Sequence, residues 1–181
     1  MACRAAGLAP DPYQVLVETY AVNERMNQVL LNHLHPRLWH AKPPRGKGRT
    51  IAAIFAHVHN IRRKFLRLSA LHLKLPRQLN RTRCSMHEAK TALAESARRC
   101  EEMLKGALLS GSIRAFRRDG WARAWPAGAA MVVYMIVHEA HHRGQVCMLA
   151  HQFGAPLPAP VAGGLWNWEK LWRECGFTHP R

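Results

Sequence analysis

The chain has 181 residues, 48% of them hydrophobic, which suits one domain with a core of its own. No apolar run reaches the roughly 18 residues of a membrane span, and the first ten residues are too poor in apolar length for a secretory signal. Lys and Arg outnumber Asp and Glu by 27 to 11, a net charge of +16. The cations are spread over many segments, so the surface should attract polyanions weakly and without sequence preference.

The first predicted helix runs over 11–34. Asp11-Pro12 supplies a cap and a first helical residue, and Val15, Val22, Met26, Val29 and Leu30 form its apolar stripe. His35 to Gly48 is rich in Pro, Gly and Lys and reads as a loop. The second helix covers 50–71, with Ile51, Ile54, Val58, Ile61 and Phe65 facing inward. Residues 76–83 break the pattern. The third covers 85–109, opening at the capping box Ser85-Met86-His87-Glu88 and continuing through Leu93, Cys100 and Leu104. An irregular basic link from Gly111 to Trp125 follows. The fourth opens at Pro126, covers 126–153 and ends at Gly154. Its stripe is Met131, Met135, His138, His142, Gln145 and Leu149. The tail carries three prolines, then Trp166, Trp168 and Trp172. It should fold back as a loop and short helix that packs its indoles on the bundle. Four amphipathic helices and no alternating strand pattern predict an all-α four-helix bundle with a Trp-rich C-terminal extension. One domain should span 11–177, with flexible ends at 1–10 and 178–181. Five scattered cysteines without a Cys-x-x-Cys pair point to a reducing cytoplasm.

The chemistry concentrates in His138-Glu139-Ala140-His141-His142. His138 and His142 lie one turn apart on an inward face. Buried imidazoles need hydrogen-bond partners or a metal, and a His-x-x-x-His pair can offer two nitrogens to one ion. A third ligand must come from another helix. His57 borders the buried stripe of the second helix; His59 lies further round and is the alternative. Three histidines would leave an open coordination position, as catalytic sites do. The same segment matches the His-Glu-x-x-His peptidase pattern, with Glu139 as general base. No strand-rich half exists to hold a peptide, and the glycine after the second His falls one position early for the extended pattern. Glu139-x-x-His142 is half of a di-iron signature, without its second half. Glu139 and His141 turn partly away from the stripe and suit rim or supporting roles. Arg143 and Gln145 could orient ligands or substrate.

His138-Glu-Ala-His-His142-Arg143-Gly144-Gln145 resembles the C-terminal signature of the DinB/YfiT-like family of metalloenzymes, and Phe55 to Arg62 resembles the motif of its second helix. Gly164-Leu165-Trp166-Asn167-Trp168 is similar to a tail found in one branch. The resemblance spans about Tyr13 to Phe177. It implies a four-helix bundle, a divalent ion (zinc or nickel, with iron or manganese as alternatives) on His57, His138 and His142, and a homodimer. It further implies a metal-dependent transferase, isomerase or hydrolase acting on a small molecule, with a low-molecular-weight thiol as the expected co-substrate. Glu139, His141 and Arg143 are the candidate catalytic residues. The competing expectation is a non-catalytic, stress-related bundle that binds metal or a small molecule. Neither a specific nucleic acid nor a membrane is an expected partner.

Overall fold

The computed structural model describes residues 11–117, 125–126 and 128–177; the ends expected to be loose fall outside them. Four long helices form as the periodicity predicts: α1 (Pro12–His33), α2 (Ile51–Ser69), α3 (Met86–Leu108) and α4 (Ala129–Gln152). Local chemistry fixes their starts. Asp11 accepts from Tyr13 N, Thr50 accepts from Ala53 N, and Ser85 and Glu88 cap each other's backbone amides. At the end of α4, Gly154 takes a left-handed φ of 69° and its N–H returns to His151 O.

The start of α4 differs from expectation. Pro126 does not open the helix. Trp125–Pro126 (β2) pairs antiparallel with Ala115–Phe116 (β1), a short ribbon inside the link read as irregular. The helix begins only after Gly128, whose φ of 100° lies outside the helical region and stops α4 from extending backward.

Helix directions follow from which residues share a core. Val17 and Tyr20 of α1, Ile61 and Phe65 of α2, Cys100 and Leu104 of α3, and Met131 and Met135 of α4 meet at one end. Leu30, Leu31, Ile51, Ile54, Leu93, Val146 and Leu149 meet at the other. So α1 and α4 run one way, and α2 and α3 the other. The parallel pair α2 and α3 needs a connection that crosses back along the bundle, and 70–85 supplies it. One polar face of α2 pins this crossover. His59 Nε2 bonds Arg77 O (2.8 Å), Asn60 exchanges bonds with Leu79 N and O (3.1 and 3.0 Å), and Arg63 donates to Pro76 O.

Leu30 of the stripe read on α1 joins the bundle core, but three of its residues face a different neighbour from the one expected. Val22 and Met26, with Val29 beside them, cover Leu171 and Trp172 of the tail. The tail forms two short helices, α5 (Ala159–Gly164) and α6 (Trp168–Glu174), not one. Its anchor is Leu171, 2% exposed, while Trp166 is 79% exposed. The expected docking of the indoles holds for Trp172, which packs beside Leu171 on α1, and is corrected for Trp166 and Trp168, which are exposed.

The face of α1 turned to the bundle carries Asn23, Glu24 and Asn27, all buried. They meet Arg62 of α2, 1% exposed, and Glu139 of α4, 2% exposed. Arg62 donates to Glu139 Oε1 (2.7 Å) and Oε2 (2.6 Å), to Glu24 Oε2 (2.7 Å) and to Leu93 O of α3 (2.9 Å). Asn23 and Asn27 donate to Glu139 Oε2 at 2.7 and 2.8 Å and accept from Arg143. All four long helices enter this network, and its two cations match its two carboxylates. A buried charge left unpaired costs several kcal/mol, about 3–5 when one partner is removed, so this layer sets how the helices are rotated against one another.

Candidate metal centre

Three imidazoles converge beside this polar layer. His57 comes from α2, one turn beyond Ile54 and five residues before Arg62; His138 and His142 come from α4 and flank Glu139. The ring centroids of His57 lie 5.3 Å from His138 and 4.8 Å from His142, and those of His138 and His142 lie 4.6 Å apart. One nitrogen of each ring lies within 4.8 Å of the others, so the cluster can hold a divalent metal ion. The Arg62–Glu139 contact joins the two histidine-bearing helices within a few residues of the site.

The donor chemistry fits a cation. His57 Nδ1 is buried with no hydrogen-bond partner among the described residues, an arrangement that costs free energy unless an electrophile meets the ring. Burial pushes the His57 pKa down to about 3, helped by the positive charge of Arg49 and by His142 and His138. Burial also lowers that of His142, against an opposing hydrogen bond from Gln145. Both rings are thus held neutral near pH 7, the state a metal ligand requires.

Gln145 orders the set. Its Oε1 lies 2.8 Å from His142 Nδ1, and its Nε2 lies 3.1 Å from His141 Nε2. The amide oxygen can only accept and the amide nitrogen can only donate. This places the His142 proton on Nδ1 and frees Nε2 for a ligand. Tyr134 stacks on His138 with centroids 6.2 Å apart and packs edge-on against Phe65.

The remaining residues singled out from the sequence fall elsewhere. His59 is fully buried on the crossover side, its Nε2 bonded to Arg77 O; its Nδ1, like that of His57, has no hydrogen-bond partner among the described residues, but its ring lies outside the three-histidine cluster. Glu139 is not a rim group. It lies at the centre of the buried face of α4 with both oxygens bonded. Burial alone would raise its pKa, yet the Arg62 guanidinium and its hydrogen bonds, with the Asn27 amide, hold the carboxyl below the ordinary range. His141 is exposed, its ring 5.0 Å from that of His142. Arg143 reaches across to Asn23 Oδ1 (2.6 Å) and Asn27 Oδ1 (3.0 Å) of α1. Arg62, Glu24, Asn23 and Asn27 were not read as site residues. The available signal was helical spacing: Arg62 lies four after Val58 and three before Phe65, on the inward stripe itself.

Compared with known proteins, the chain matches the model of the DinB family over residues 10–170. No curated protein and no solved structure matches it.

Proposed function

The chain belongs to the DinB family, and from that premise we propose that it is a metal-dependent enzyme with one divalent ion on His57, His138 and His142. One observation carries the reading: imidazole nitrogens from two helices far apart in sequence lie within 4.8 Å of one another. An all-imidazole set suits zinc or nickel, with iron or manganese as alternatives. When bound, such an ion supplies Lewis acidity that lowers the pKa of a coordinated water or thiol. The reaction class we favour is transfer, isomerisation or hydrolysis of a small molecule, with a low-molecular-weight thiol as co-substrate.

The protein's own residues divide the remaining work. Gln145 fixes the His142 tautomer. Glu139, bonded on both oxygens and buried, is a positioning residue that holds α4 in rotation, not a general base. His141, exposed beside His142 and in contact with Gln145, is the candidate for contact with a substrate at the rim. Arg143 braces α4 on α1. The reading extends to a homodimer in the cytoplasm. The uncharged outward run Val133, Val137, Ala140, Gly144 and Met148 of α4 supports the first, and the free thiols of Cys84, Cys100, Cys147 and Cys175 support the second.

Metal content of the purified protein, with zinc and nickel uptake at neutral pH, tests the reading. His142→Ala should remove most of the affinity and His141→Ala should leave it nearly intact. A protein that takes up no metal overturns the proposal. Loss on His59→Ala with retention on His57→Ala would overturn the assigned third ligand.

A further inference from the structure

We propose that the substrate of this centre is a small organic anion, held by Arg49 and Lys47 in the cavity that shares Gln145 with the histidine cluster. The inference rests on the metal-dependent reading above and narrows it to a charge class.

The cavity, about 660 Å³, lies between the segment that leads into α2 and the C-terminal half of α4. Its polar lining is Lys47, Arg49, Gln145 and Gln152, its apolar lining includes Ile54 and Met148, and no acidic residue contributes to it. Two of these residues tie it to the metal centre. Gln145 is bonded to His142, and Ile54 lies one turn before His57 on α2. The imidazoles themselves do not line the cavity; a molecule in it touches Gln145, the hydrogen-bond partner of His142, and Ile54, one turn from His57.

The charge around the centre is one-sided. Three neutral imidazoles bring no negative charge to an ion. The nearby carboxylates, Glu24 and Glu139, are both taken by Arg62. Arg49 makes no hydrogen bond or ion pair with a described residue, yet its positive charge acts on His57 and on His142, and that of Arg81 acts on His57. A divalent ion would add to this field, and nothing in the lining offsets it. A cleft of one sign with apolar walls concentrates ligands of the opposite sign. The apolar lining, with Ile54 and Met148, fits a short hydrocarbon stem joined to the charged end.

The test uses the full chain loaded with cobalt(II), whose visible absorption reports ligands entering the coordination sphere. The probes are 3-mercaptopropionate and its neutral counterpart 3-mercaptopropionamide, which differ only at the end remote from sulfur. The acid should bind at least about 10-fold more tightly than the amide, a preference that weakens with salt. Arg49→Gln combined with Lys47→Gln should reduce that ratio to about 2-fold while the cobalt spectrum without thiol stays unchanged. Both side chains are exposed, so their loss leaves the core untouched. Absence of cobalt bands would overturn the metal reading itself. Cobalt bands that neither thiol perturbs, equal affinities for the two, or a preference that survives the double substitution would overturn the anion assignment alone.

Discussion

At the scale of single residues, the site depends on groups that touch no ligand. Gln145 holds one imidazole tautomer through a single 2.8 Å contact. Gln145→Leu keeps the volume and removes that contact. Metal affinity should fall by roughly 10- to 100-fold with little change in unfolding midpoint, measured by competition against a chelator. Unaltered affinity would show that the tautomer is set by other means. Glu139 makes a second prediction. Its carboxyl is held below the ordinary glutamate value of 4.5 because Arg62 and the amides outweigh burial. The unfolded chain therefore takes up the proton first as pH falls. The stabilisation is complete above 4.5 and is lost as pH drops from there through the folded value. Glu139→Gln should cost about 3–5 kcal/mol at pH 7, and the deficit should shrink as the medium is acidified below 4.5; urea titrations at several pH values read it directly. His138 and His142 were legible because a one-turn repeat on an apolar helix face is a local signal, whereas the choice of His57 over His59 rested on which lay nearer the buried stripe of another helix. The charges that orient the histidines were not legible, because Arg62, one of the three consecutive cations Arg62-Arg63-Lys64, looks like part of a solvated face until its partners on other helices are known.

Helices and their junctions divide along the same line between local and distant causes. Starts and stops set by neighbouring residues, such as the Ser85–Glu88 box, were readable, and Ser85→Ala should lower stability by about 1 kcal/mol, seen as a shift in denaturation midpoint. The boundary at Pro126 was misread because a pairing partner ten residues away in sequence, Phe116–Ala115, competes with helix nucleation. The middle of α1 was misread because its bundle-facing side there is Asn23, Glu24 and Asn27, while Val22, Met26 and Val29 serve the tail and apolar residues face the bundle only towards its two ends. That arrangement makes the C-terminal helices a separate layer. They hang on Leu171, with Leu165, Trp172 and Cys175 around it, against Val22, Met26 and Val29, and on the Arg25–Glu174 ion pair of 2.7 Å. Leu171→Ala should release α5 and α6 while the four long helices persist. Hydrogen exchange should then rise across 159–174 and stay slow at 51–66. Loss of protection throughout the chain would show instead that the tail is part of the bundle's cooperative unit.

On the scale of the whole molecule, two properties stand out: a surface charge of +16 and a core cut in two by a charged layer. The first carries a prediction of its own. Binding to duplex DNA should be independent of sequence and should fall by orders of magnitude between about 50 and 200 mM salt, because only phosphate contacts support it. Tight binding to one sequence at the upper concentration would contradict this. The second property has a bearing on how such a chain can change over generations. Arg62 answers to Glu24, Glu139 and the Leu93 carbonyl together, so a lone substitution at either end of the Arg62–Glu139 pair strands its counterpart. A joint replacement by apolar residues of similar bulk leaves Glu24 and Arg143 still balanced, and buried ion pairs exchanged in this way are often neutral or stabilising. The two positions should therefore be inherited as one unit, tolerant of change only in tandem. Because one lies five residues beyond His57 and the other between His138 and His142, the two halves of the histidine cluster are bound to a shared lineage by residues outside the cluster itself.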